Sequence, residues 1–520
     1  MSSVILRILP LLLLGTLLTH SQQVLPPRPK LVLLIAADQF RYDYLPRFRD
    51  QYNSGLRMLL DGGANFVNAH LEHYPTVTAI GHATMGSGAT PKSSGIIGND
   101  WYDRESGKQV TSVSDEGVQL LGGSPGSASS PHRLLVSSLG DEMKRGGLQS
   151  KVIGMSLKDR SAILPVGRRA DAAYWFDTKT GDFVSSTWYF QSLPAWVQQW
   201  NKDTPINRFV GQSWMENTRR LPDQPGPGLY SATYNSPYGN DLLEQFAIRA
   251  LEAEKLGQRG MTDFLSVSFS SNDAIGHAHG PDSPEARAIS IATDRSIGRL
   301  LQAVDKLVGL ANTIVVFTAD HGVAPNPEVL QSEKMPGGRL TNPAFFGPMV
   351  KALESALGSE PWLLSTAGSS PYFDTALLAE KKVDPAQAQR IAARALYLEA
   401  HVARVYTREQ LLDGYAAADR FDARVVRSFH PQRSGDLEVV LDPFWIRGKA
   451  GATHGTPYLY DSHIPLIVMG PGIQPGTFAK EVALNDLAPT LATILDIETP
   501  SGSVGRVLIE ALIPATGRER

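Results

Sequence analysis

The sequence has 520 residues, no cysteine, 49 lysine plus arginine against 52 aspartate plus glutamate, and a formal net charge of −3. Hydrophobic residues make up 42% and charged ones 19%, which supplies a large core and excludes a chain that stays disordered. Without a cationic surplus, nucleic acid and anionic membrane are excluded as main partners. The missing cysteine excludes disulfides, thiolate metal sites, a cysteine nucleophile and a lipidated cysteine, so any metal must be held by His, Asp and Glu.

Residues 1–21 (MSSVILRILPLLLLGTLLTHS) carry one positive charge, Arg7, and an apolar run over residues 8–18. That run is too short to span ~30 Å of hydrocarbon as a helix. Thr19 and Ser21 fit the small positions of a signal-peptidase site, so the segment reads as a signal peptide cleaved before Gln22. The mature chain is expected in the periplasm or outside the cell, without a stable membrane span and as a monomer. Leu31–Ala37 (LVLLIAA) is then an unbroken apolar run ending in Asp38. Such runs suit central parallel strands covered on both faces.

The pattern recurs along the chain. Residues 151–157 (KVIGMSL) lead to Lys158 and Arg160, 264–269 (FLSVSF) to Asp273, and Thr313–Thr318 (TIVVFT) to Asp320 and His321. Residues 464–469 (IPLIVM) follow the loop that carries His454. Between two of these runs, Ser283-Pro284-Glu285 opens a helix whose Ile297, Leu300, Leu301, Val304, Leu307 and Val308 keep helical spacing. This alternation predicts an α/β fold, a mostly parallel central sheet flanked by helices. Residues 172–240 and 335–445 fit it poorly, although 385–400 has a helical pattern, and both are expected to be insertions forming a cap near the site.

In such sheets ligands bind beyond the carboxyl ends of the strands, and four of the runs place charged or metal-capable residues there. The candidate site comprises Asp38, Thr78, Asp273, His277, Asp320, His321 and His454. Asp273 and His277 lie in NDAIGHAHGP, where Gly276 is expected to ease a turn. His454 lies in GATHGTPYLYDSHIP, whose small residues let backbone approach a ligand. Nitrogen and oxygen ligands without sulfur fit zinc, and hydrolytic sites often hold two ions ~4 Å apart. Thr78 precedes AIGHATMGSGA, which can start a helix whose unpaired N–H groups and positive potential suit a phosphate.

The segment HYPTVTAIGHATMGSGATPKSSGIIGNDWYD resembles the nucleophile region of the alkaline phosphatase superfamily, in its nucleotide pyrophosphatase/phosphodiesterase branch. It is most similar there to the phosphate-irrepressible bacterial alkaline phosphatases that use threonine. DxxGHxxGP, TADHG and THGTPYxYDxHxP follow in family order. The resemblance implies an alkaline phosphatase-like domain over residues 30–520 with two zinc ions. Asp273, His277 and His454 would hold one, and Asp38, Asp320, His321 and Thr78 the other. Thr76 competes as nucleophile, but the family spacing to a phosphate-contacting Asn matches the 21 residues from Thr78 to Asn99.

The resemblance also bears on which ester reacts. The KDRSA stretch is similar to the Lys–Arg pair of the threonine-type phosphatases, which the diesterase branch generally lacks. Lys158 and Arg160, two apart, would point to the same side if extended and would meet the extra anionic oxygen of a monoester, while Asn99 donates to a non-bridging oxygen. The implied activity is a phosphomonoesterase acting on small organic phosphates through a phosphothreonine. The alternative is a nucleotide phosphodiesterase/pyrophosphatase using the same two-zinc site, and a third reading is a phosphate- or metal-binding protein without activity. His73, His82, His279 and His463 are expected to be structural or to orient ligands.

Overall fold

The computed structural model of the chain describes residues 28–147, 149–366 and 370–513; the expected signal peptide, residues 1–21, lies outside the described residues. Among these residues a ten-stranded sheet forms the centre of the molecule. Its strands are β1 (Leu31–Ala37), β2 (Ala64–Phe66), β3 (Leu120–Leu121), β4 (Val152–Ser156), β5 (Ala172–Asp177), β6 (Asp182–Ser186), β7 (Asp263–Phe269), β8 (Thr313–Thr318), β9 (Leu466–Met469) and β10 (Gly476–Phe478). Their spatial order is β10-β2-β9-β8-β1-β7-β4-β5-β6-β3.

The apolar runs explain the middle of this order. Every residue of β1, β7 and β8 is buried, as expected for strands covered on both faces. The block β8-β1-β7-β4-β5 is parallel throughout. Helices α1 (Thr78–Ser87), α2 (Asp159–Ile163), α3 (Pro237–Ala253), α4 (Ser271–His279) and α5 (Pro284–Leu307) alternate with these strands. Helix α5 starts as its sequence predicts: Ser283 accepts a hydrogen bond from the Ala286 N–H at 3.0 Å. Ile297, Leu300, Leu301 and Val304 then enter the same apolar cluster as β1, β7 and β8.

Two expectations are corrected. The run 464–469 is not one parallel strand. Residues His463 and Ile464 pair with Ala69 and His70 in a small separate sheet, and only Leu466–Met469 joins the main one, antiparallel to β8. Pro465 divides them because it has no N–H for a ladder; its carbonyl accepts instead from Thr318 Oγ1 at 2.8 Å. Nor do residues 172–186 belong to a cap. They form β5, paired parallel to β4, and β6, antiparallel to β5. Their aromatic residues fill the core rather than a lid: Tyr174, Trp175, Phe176 and Phe183 are all buried.

Residues 335–445 build a smaller layer around α6 (Asn342–Leu357), α7 (Pro385–Tyr397) and an antiparallel pair, Val402–Thr407 with Leu437–Leu441. They have their own apolar cluster, including Met349, Trp362, Leu396 and Val439. None of the helices among the described residues is long and apolar enough to cross a membrane.

Candidate metal centre and active site

Register carries the site together. Ala37 of β1 pairs with Phe269 of β7, and Ala36 pairs with Thr318 of β8, so the three strands end at one rim. Asp38 follows directly, its N–H donating to Phe269 O at 2.9 Å. Asp320 leaves β8 beside it, and Asp273 and His277 project one turn apart from α4. Gly276 therefore does not ease a turn; it sits inside the helix. A Cβ there would lie 2.9 Å from Gln39 Cδ and closer still to its Oε1, so a side chain at this position would displace the Gln39 amide.

The rim carries two clusters whose ligand atoms lie within 4.8 Å of one another: Asp273, His277 and His454, and Asp38, Asp320 and His321. In the first, His277 Nε2 and His454 Nε2 stand 3.1 and 3.7 Å from Asp273 Oδ1. In the second, His321 Nε2 stands 3.4 Å from Asp38 Oδ1 and 3.5 Å from Asp320 Oδ2. All three imidazoles are oriented in one way. Their Nδ1 atoms meet backbone carbonyls, His277 at Ala452 O (2.8 Å), His321 at Gly322 O (2.9 Å) and His454 at Thr76 O (2.8 Å). A carbonyl only accepts, so Nδ1 carries a proton in each ring and Nε2 is the atom that faces the carboxylates, with the Nδ1 contact being the outer hydrogen bond typical of a metal-ligating histidine.

The electrostatics call for a cation. Three buried carboxylates face one ammonium, Lys158, whose Nζ lies 2.6 Å from Asp38 Oδ2 and 2.6 Å from Asp273 Oδ2. Burial opposes its charge, but Asp273 and Asp38 outweigh that and keep it protonated. Asp273 is held well below the usual carboxylate range, burial being overcome by Lys158 and His277. Asp38 goes the other way: burial, then the charge of Asp320, pushes it up to about 8. His454 is held neutral, by burial and then by His321 and His277. Asp38 Oδ1 is buried without a hydrogen-bond partner. Uncompensated buried negative charge is costly, and oxygen and imidazole donors without sulfur fit zinc-like divalent ions. The residues present fit a metal in each cluster.

Thr78 is the first residue of α1, and its Oγ1 stands 3.3 Å from His321 Nε2. Helix α1 can lie there because of Gly81: a Cβ at this position would be 2.7 Å from the Cα of Asp320. Thr76 is engaged elsewhere, donating from Oγ1 to Thr456 O at 2.8 Å. Asn99 Oδ1 accepts the Ala79 N–H at 2.9 Å. One helix-terminal donor is thus used on Asn99, and this orients the amide so that Nδ2 remains as a donor.

Lys158 and Arg160 do not form the extended pair that their spacing suggested. Lys158 precedes α2 and turns into the rim, whereas Arg160 lies within the helix, where residues two apart do not share a face. Arg160 lines a cavity of about 380 Å³ together with Asn99, Asp100 and Asp159, and its Nε is buried without a hydrogen-bond partner. Of the remaining histidines, His82 touches the site. Its Nδ1 meets Thr78 O at 2.9 Å and lies 3.3 Å from Asp320 Oδ2, while Nε2 meets Ser268 Oγ at 2.7 Å. His73, His279 and His463 lie outside both clusters.

Sequence reasoning missed three residues that hold this geometry. Gln39, at φ 62°, donates its N–H to Asp320 Oδ1 at 3.1 Å and its amide to Asp273 Oδ1 at 2.6 Å. Asp461 receives the Thr456 N–H at 2.7 Å and its hydroxyl at 2.6 Å, anchoring the His454 loop. The buried Arg424 reaches the same loop through Pro457 O and Ser462 Oγ. Asp461 stands in the YLYDSHIP stretch and so carried a signal; Arg424 carried none.

Comparison with known proteins places this geometry. The family model described as type I phosphodiesterase / nucleotide pyrophosphatase matches residues 32–458. The chain is 34% identical over 524 residues to alkaline phosphatase PafA of Elizabethkingia meningoseptica, covering 94% of this chain and 95% of that protein. It is 35% identical over 522 residues to alkaline phosphatase PhoV of Synechococcus elongatus, covering 93% of each. A crystal structure of wild-type PafA matches with a TM-score of 0.86 at 33% identity, over 94% of this chain and 99% of that one. With this match over most of its length, the chain belongs to the type I phosphodiesterase / nucleotide pyrophosphatase family.

Proposed function

We propose that the protein is an alkaline phosphatase, a phosphomonoesterase with two zinc ions that releases phosphate from small organic phosphomonoesters. The observation that carries this reading is Thr78 Oγ1 at 3.3 Å from His321 Nε2, beside two clusters whose imidazoles all present Nε2 inward. Asp273, His277 and His454 would hold one ion, and Asp38, Asp320, His321 and Thr78 the other. Zinc in these clusters supplies positive charge that favours the ionised hydroxyl and offsets charge on phosphate oxygens.

The residues then divide the work. Thr78 Oγ attacks phosphorus, the P–O bond to the organic group breaks, and a phosphothreonine forms that water later cleaves. The start of α1 turns positive potential towards that phosphorus. Asn99 donates from Nδ2 to a non-bridging oxygen, and Arg160, across the same cavity, meets the extra anionic oxygen that distinguishes a monoester from a diester. Lys158 adds positive charge at the rim through its place between Asp38 and Asp273. The names of the relatives support the monoester reading, and the leader-like residues 1–21 support a periplasmic or secreted location.

The deciding experiment compares rates on 4-nitrophenyl phosphate and methyl 4-nitrophenyl phosphate with zinc-loaded protein. Monoester cleavage is expected to dominate, and Arg160→Ala to lower it by about 10–100-fold while scarcely changing diester cleavage. A faster diester reaction would transfer the site to the nucleotide phosphodiesterase reading.

A further inference from the structure

The two clusters are joined by a residue that ligates neither. Gln39 follows Asp38 and adopts φ 62°, a region that non-glycine residues occupy at a cost. It is 2% exposed. That backbone turn aims its N–H at Asp320 Oδ1 in one cluster, while its side-chain amide reaches Asp273 Oδ1 in the other. The amide orientation is set by chemistry: a carboxylate accepts only, so Nε2 and not Oε1 faces Asp273. The neighbouring helix is shaped around the same side chain, since a Cβ on Gly276 would overlap Oε1. Asp273 Oδ1 is also the oxygen nearest both His277 Nε2 and His454 Nε2, so the amide fixes the carboxylate on which that cluster converges.

We propose that Gln39 is a positioning residue that sets the metal affinity of the Asp273–His277–His454 cluster through its amide, separately from its backbone contact to Asp320. The inference rests on the two-metal reading of the site. Outer hydrogen bonds of this type typically change metal affinity by about 10–100-fold.

The substitution that isolates the amide is Gln39→Gly. It keeps the N–H that binds Asp320, suits the left-handed backbone, and removes the donor to Asp273 together with the buried stem that packs against Gly276. Chelator-stripped protein is titrated with Zn2+ by calorimetry, with His454→Ala marking which binding step belongs to the Asp273 cluster. Gln39→Gly is expected to weaken that step by about tenfold or more and to leave the other within twofold. Substitution of Co2+ gives a second readout, a changed visible spectrum for the ion in that cluster alone. Equal weakening of both steps, or of neither, overturns the proposal. Should Gln39→Gly fail to fold, as judged by circular dichroism, Gln39→Ala removes the same donor and is read by the same criteria. A wild-type protein that takes up no metal sinks the site reading itself, a result distinct from a wild type that binds two ions and a variant that binds them equally well.

Discussion

Gly81→Ala tests whether the contact between α1 and the end of β8 sets the rate. The added Cβ would meet Asp320 Cα at 2.7 Å, and its carbonyl oxygen more closely, where ordinary contact begins at 3.4 Å. Both partners are backbone and cannot swing aside, so helix and strand end must separate by about 0.7 Å to clear the Cα and by about 1 Å to clear the carbonyl oxygen. Overpacking of this kind costs roughly 1–3 kcal/mol of stability. The same displacement carries Thr78 Oγ1 away from His321, and a misplacement of ~1 Å at a reacting group lowers rate by about 100-fold, or roughly 2.7 kcal/mol of barrier. The assay is kcat/KM on 4-nitrophenyl phosphate alongside denaturant unfolding. Gly347→Ala is the control: it lies within α6 with nothing within 4 Å of its added Cβ, so it should stabilise by about 0.5–1 kcal/mol and leave the rate alone. A Gly81→Ala enzyme within twofold of the parent would refute the claim that this close approach positions the nucleophile.

Two further expectations follow from single groups. Thr78→Ala should abolish turnover while elemental analysis still finds zinc bound to the protein, and near-normal turnover would remove Thr78 as nucleophile. Glu438, buried on the Leu437–Leu441 strand with Ser370 Oγ donating to it at 2.7 Å, is pushed by burial up to about 7 from 4.5. The folded state therefore keeps this proton after the unfolded chain has lost it, so stability falls as pH rises from about 4.5 to about 7. The loss is on the order of 3 kcal/mol across that window. Glu438→Gln should escape it, growing more stable relative to the parent over that range and tracking it below; parallel denaturation curves from pH 4 to 8 would contradict the assignment.

Much of the architecture could be read from pattern, and particular residues show why. Leu31–Ala37 and Thr313–Thr318 are apolar without interruption, which only a strand covered on both faces tolerates, and both form the buried centre of the sheet. The aromatic stretch after residue 172 misled because polar and Pro-rich neighbours resemble loop insertions, whereas its Tyr174 and Phe183 pack in the core. The direction of β9 could not be read at all, since an apolar run looks the same whichever way it pairs.

The site divides along the same line. Asp38, Thr78, Asp273, Asp320 and His321 are visible in the chain because each stands near a strand end or a helix start, a local feature, while His277 lies one turn beyond Asp273 and His454 in a loop of small residues. What each side chain touches was settled by register and packing between segments more than 100 residues apart in several cases, such as Lys158 with Asp38 and Gln39 with Asp273. Spacing suggested that Lys158 and Arg160 act as a pair; the start of α2 between them turned one into the carboxylates and the other towards the cavity with Asn99. Short-range pattern decides which residues reach the rim, whereas their partners depend on distances between strands and helices that no local stretch of sequence contains.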